Sequence, residues 1–159
     1  MGFALSDMQV TSSAFTNGAA IPKQFTGEGD DVSPALSWRN PPDATKAFAI
    51  ICHDPDAPLI SKRGTYGFVH WTLYNVPGSA KELEEGCKGY TVGKNDFGNS
   101  GYGGPMPPDA HGRHHYFFWV LALDTDKQLA PDLTLWELLE HLEPHVIGMN
   151  RLVGTYQRD

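Results

Sequence analysis

The chain has 159 residues, of which 40% are apolar and 19% charged, with 12 prolines, 17 glycines and a formal net charge of −7. This is globular composition at the length of one domain, spanning 1–159, and such a chain can bury a core without disulfides or metals. The acidic balance and the absence of any Lys or Arg run exclude a phosphate-neutralising nucleic-acid binder and argue against docking on an anionic bilayer. No apolar stretch reaches spanning length, so no membrane insertion is expected. No basic segment followed by an apolar one opens the chain, so reduced thiols and a cytoplasmic location are expected.

Turn signals crowd the first forty-odd residues ("TNGAAIP", "TGEGDDVSP", "RNPPD"), which predicts loops and short edge strands. "KAFAIICHD" (46–54) is a continuous apolar run, as expected of a strand covered on both faces, and Cys52 within it is a small core residue. "YGFVHWTLYNVP" (66–77) is a β-branched and aromatic strand ended by Pro77. Residues 93–112, rich in Gly and Pro, form a long loop of the kind that usually carries function. "HHYFFWVLALD" (114–124) is the clearest strand.

"TLWELLEHLEP" predicts a helix with Thr134 as N-cap, Glu137 completing a capping box, and Leu135, Leu138, Leu139 and Leu142 on one face. Pro144 either stops that helix or begins a second short one in "PHVIGMNRLV", with "GTY" (154–156) returning as a strand. The fold class is therefore mainly antiparallel β, with one or two short helices at the C-terminal end.

Side chains alternate along a strand, so His114 and Tyr116 share a face that His115 does not. By the same rule His70 shares a face with Phe68, Thr72 and Tyr74, opposite Val69, Trp71 and Leu73. Asp54 precedes a proline and is held extended, which would send Asp54 and Asp56 to one side. Three strand ends then bring acid, imidazole and phenol beside the long loop. Such groups, with loop N–H donors, suit a small oxyanion, and Asp56 has capacity for a cationic tail on the same ligand. Against this stands the ordinary behaviour of each residue alone: Asp beside Pro is usually a turn, and a mid-strand His is usually a packed residue. His53 and His111 look like incidental surface histidines, and His141 and His145 look solvated.

Other chemistries find little support. "HGRHH" (111–115) has no metal-ligand spacing, "GNSGYGG" around Ser100 misses a nucleophile elbow, and the glycine-rich loop lacks the ending of a P-loop.

Taken together, "DPDAP" (54–58), "GFVHWTLYNVP" (67–77) and "GPMPPDAHGRHHYFFWVLALD" (104–124) resemble the signature blocks of the phosphatidylethanolamine-binding protein family, which includes the Raf kinase inhibitor proteins. "SPALSW" and "LVGTY" are similar to its bacterial and archaeal branch. The resemblance covers nearly the whole chain. It implies two antiparallel sheets and an anion pocket for phosphate or phosphoethanolamine-like head groups, built from Asp54, Asp56, Pro58, His70, Gly104, His114 and Tyr116. It also implies a cis Ala57–Pro58 bond. The chain departs from the family where His115 replaces an arginine and where Met106 stands among small residues.

The expectation is a regulatory binding protein, not an enzyme, with no catalytic residues, no metal and no cofactor. Its partner would be a small anionic ligand. An alternative is a protein inhibitor of a kinase or serine protease that uses the pocket rim. A hydrolase built on His70, His114 and Asp54 is the third reading. A homodimer is compatible with the sequence. The metal-free expectation predicts that chelator treatment leaves the thermal midpoint unchanged, and a large drop in a melting scan would overturn it.

Overall fold

The computed structural model describes residues 6–57 and 67–159. Among them the strands are β1 (Gln9–Thr11), β2 (Leu36–Arg39), β3 (Ala47–Asp54), β4 (Phe68–Pro77), β5 (Glu82–Leu83), β6 (Thr91–Val92), β7 (His114–Leu123) and β8 (Val146–Tyr156), with one α-helix, α1 (Leu135–Leu142). They form a three-stranded sheet, β1-β2-β5, and a five-stranded sheet, β6-β4-β3-β7-β8. Every pairing between these strands is antiparallel.

The continuous apolar run of β3 follows from its central place in the larger sheet. Phe48, Ile50 and Cys52 face the smaller sheet and pack in one core with Val10, Leu36, Trp38, Phe118 and Val120. Ala47, Ala49 and Ile51 point the other way, into a second core with Leu138 and Leu142 of α1. The helix forms as its sequence dictates. Thr134 accepts from the Glu137 N–H while the Glu137 carboxylate accepts from the Thr134 N–H, so the capping box has both arms.

At Pro144 the first of the two alternatives is the one realised. The segment after Pro144 forms no second α-helix: Glu143–His145 make a single 3-10 turn, and the chain then runs as strand from Val146 to Tyr156. Ten residues of β7, which lacks another partner on that side, pair with it and override local preference.

One expectation needs correction, and it concerns β4. Cys52 pairs with Trp71, yet the next residue, His53, pairs with Val69. His70 is thus an extra residue, a β-bulge, and the alternation slips by one at that point. Phe68 and His70 lie on the same face as Trp71 and Leu73, while Thr72 and Tyr74 turn to the opposite face. Without the bulge, His70 would sit opposite His53 and point away from β7's histidine. A second irregularity, between Phe48 and Ile50, places Asn75 at φ 58°.

Because both arms of the capping box are formed, Thr134→Ala should cost about 1 kcal/mol of stability in urea unfolding, with no change in any ligand affinity. An unaltered midpoint would show that the box contributes nothing.

Candidate functional site

The site begins where β3 ends. The proline after Asp54 ends the strand, and the Asp56 N–H folds back to donate to Asp54 Oδ1 at 2.8 Å. The other oxygen, Asp54 Oδ2, accepts from His114 Nδ1 at 2.6 Å, in a pair almost wholly shielded from solvent. Asp56 turns outward instead. Its Oδ2 accepts from both the backbone N–H and Nδ1 of His115, each at 2.7 Å. The two carboxylates therefore grip two successive residues of β7, one on each face of the sheet. The turn, not an extended segment, is what separates them.

Beside Asp54 lies a cavity of about 230 Å³, lined by Asp54, His70, His114 and Tyr116 at its polar end. Its walls are apolar: Ala57, Phe68, Phe97, Met106, Pro107 and Pro108. His70 is held by a bond from Nδ1 to the Gly103 carbonyl at 2.7 Å and by edge contacts with Phe97 and Tyr116. With Nδ1 donating, its Nε2 is left as the variable atom of the ring. Tyr116 is fully buried, and its hydroxyl has no hydrogen-bond partner among the described residues.

Burial sets the electrostatics. Desolvation pulls the His70 pKa below that of an ordinary imidazole, and outweighs the carbonyl of Gly103 and the charge of Asp54, which both favour the proton. Burial, together with the nearby Asp54, pushes the Tyr116 phenol far above its usual value, so it remains a donor. Partial burial works against ionisation of Asp56, but its bonds to His115 prevail and hold it below the usual carboxylate range. Cys52, behind the site, is pushed well up by burial and is not a nucleophile.

Of the residues expected in a pocket, Asp54, His70, His114 and Tyr116 converge. Asp56 points away, and its Oδ2 is taken by His115. Gly104 does not line the cavity. Its N–H donates to Asp31 Oδ1 at 2.7 Å, and the Gly103 N–H donates to the His70 carbonyl, so these loop amides brace the wall and are not offered to a ligand. A Cβ at Gly104 would meet the Phe25 carbonyl at 2.3 Å, so the glycine permits that bracing. Pro58, and with it the Ala57–Pro58 bond, lies outside the described residues.

His115 does serve as a supporting contact, through Asp56. His111, read as incidental, instead places Nδ1 2.7 Å from His114 Nε2. The apolar wall residues carried no polar signature, and of them the sequence pointed to Phe68, on the face of His70, and to Met106 in the loop. Among the described residues there is no group of three or more His, Cys, Asp or Glu placed to hold a metal ion, and no helix is long and apolar enough to cross a membrane.

A family model described as phosphatidylethanolamine-binding protein matches residues 11–157. The chain belongs to that family. It is 40% identical to a UPF0098 protein of Aquifex aeolicus over 96% of this chain and 90% of the relative, and 40% identical to one from Methanothermobacter thermautotrophicus over 95% and 99%. Among solved structures it resembles Escherichia coli YbcL, described as a member of the mammalian PEBP family, with TM-score 0.87 and 32% identity over 97% of this chain and 100% of that one. It also resembles the PEBP homolog CT736 of Chlamydia trachomatis, with TM-score 0.86 and 37% identity over 96% and 98%. The two-sheet β fold with a short C-terminal helix is that of the family.

The depressed His70 pKa has a consequence for stability. Below about pH 6.5 an unfolded histidine takes up a proton that the folded His70 resists, so this residue's contribution is complete above that value and is lost as pH falls towards its folded pKa. Urea titrations of wild type and His70→Gln between pH 7.5 and about 5 should show the wild type losing more stability on acidification. Parallel slopes would mean that His70 is not buried in its neutral form.

Proposed function

We propose that this protein binds a small oxyanion, phosphate or a phosphate-monoester head group, in the His70–His114–Tyr116 cavity, as a binding module and not an enzyme. The observation that carries this reading is the Tyr116 hydroxyl. It is fully buried, kept protonated by its surroundings, and has no partner among the described residues. An unsatisfied buried hydroxyl costs about 1–3 kcal/mol, a cost that a bound oxygen would offset. Protonated His70 Nε2 supplies a second donor to the same space. The ligand's remaining part meets Phe68, Phe97, Met106 and Pro108, which favours an apolar substituent. With Asp56 committed to His115, a place for an ammonium tail has no support.

A role at a protein interface has one observation in its favour: Phe97 and Met106 line the cavity, yet are 44% and 39% exposed. An apolar rim around an anion pocket suits a partner that inserts an acidic or phosphorylated side chain, as an inhibitor of a kinase or protease would require. Hydrolysis draws no comparable support, since both nitrogens of His114 are engaged and the Cys52 thiol is buried.

Calorimetry with inorganic phosphate tests the reading. Tyr116→Phe should weaken binding by about 1.5–3 kcal/mol while leaving the fold as stable or more so, because the orphan hydroxyl is gone. Affinity should also rise as pH falls through and below about 6.5, since His70 must gain a proton that burial opposes. Unchanged phosphate affinity in Tyr116→Phe would sink this assignment.

A further inference from the structure

His114 has two ring nitrogens and both are occupied: Nδ1 by the buried Asp54 carboxylate, Nε2 by His111 Nδ1 at 2.7 Å. His114 lines the cavity and His111 does not, so the bond at Nε2 commits the one ring nitrogen that Asp54 leaves available to a group from outside the lining. If His114 is neutral, His111 donates to it; if His114 is imidazolium, His111 accepts from it. In either state the slot is filled from within the chain.

His111 differs from every other polar group of the site in how it is held. His114, Asp54, His70 and Tyr116 are buried on strands, whereas His111 is exposed on a loop. Its neighbours Ala110 and Gly112 have φ of 58° and 92°, so it projects from a tight reversal. Its backbone is held by single long bonds, His111 N–H to Pro108 O and Ala110 N–H to the Arg158 carbonyl, both at 3.2 Å. The base of the loop is better secured. Arg158 donates to the Pro107 carbonyl and pairs with Asp109 and Glu28, so the wall can stay while the ring leaves.

We infer that His111 is a gate on the anion cavity, an internal occupant of the His114 Nε2 position that a ligand must displace. The inference rests on the anion reading of the cavity given above. Charged and titratable groups near the His111–His114 pair include Asp54 at the end of β3, Asp56 two residues on, His70 from β4 and Tyr116 from β7, with Asp109 and Arg113 two residues either side of His111 in the chain. None of the three groups in or beside the cavity, Asp54, His70 and Tyr116, bonds to His114 Nε2. His111 therefore sets how much of the intrinsic affinity of His114 is available, without being part of the anion's donor set.

Inorganic phosphate is the probe, titrated by calorimetry into wild type, His111→Ala and His111→Asn at one pH. Removing the occupant should tighten phosphate binding by about two- to tenfold, the range of one ordinary hydrogen bond no longer displaced. Asn places an amide near the position of Nδ1, so it should return the affinity towards wild type. A parallel measurement, the nitrogen–nitrogen coupling across the His111–His114 hydrogen bond by NMR, should be present in wild type and lost on adding phosphate. Equal or weaker phosphate binding by His111→Ala overturns the gate while leaving the anion reading intact. Absence of the coupling in ligand-free wild type also overturns it. If the coupling is seen but none of the three proteins binds phosphate, the anion reading itself falls, and the gate with it.

Discussion

The buried bond between Asp54 and His114 is the interaction on which the site depends. A carboxylate and an imidazole, both shielded from water, sit 2.6 Å apart at the junction of two central strands. Removing either partner would strand the other's polarity in the core, a loss of about 3–5 kcal/mol. That constraint fixes the tautomer-bearing end of His114, the end of β3 and the start of β7 at once. The outward pair, Asp56 with His115, secures the same junction from the solvent side, where it is exposed and worth much less.

From this junction the cavity follows. The sandwich supplies a rigid floor, because β3 is covered on both faces and cannot shift without disturbing two cores. The bulge at His70 adds the second imidazole to that floor by turning one side chain across the sheet. The loop from Gly103 to Pro108 closes the wall, braced through Asp31, Phe25 and the C-terminal Arg158. The amides of Gly103 and Gly104 are spent on that bracing. The polar chemistry left for a ligand is accordingly small: one phenol hydroxyl, one imidazole nitrogen and whatever His111 releases. On the proposed reading, so few donors and so much apolar wall would make the site select on shape and on the hydrophobic part of a ligand as much as on charge.

Membership of the phosphatidylethanolamine-binding protein family, and likeness to YbcL and CT736, account for the frame. What this chain does with the frame lies in its own residues. Asp56 is paired with His115 where the resemblance led one to expect an arginine, Met106 contributes to the wall, and His111 bonds to His114 Nε2.

Much of this was legible in the sequence, for definite reasons. Strict alternation in "HHYF" put His114 and Tyr116 on one face, and the strand is regular there, so they are together. The doubly apolar β3 and the capping box at Thr134 are local patterns that need no distant partner to be recognised. Alternation failed at His70, because a bulge is an event between two strands and leaves no mark on one of them. It failed at Asp56, because the Asp54 side chain captured the next free N–H and turned the chain. After Pro144 the sequence left two alternatives open, and ten residues of β7 in need of a partner decided for strand. The sequence by itself determined which chemical groups were available and which strands would carry them. Only the tertiary structure decided which of those groups faced the cavity and which were already paired, since that depends on register, turns and neighbours brought from across the chain.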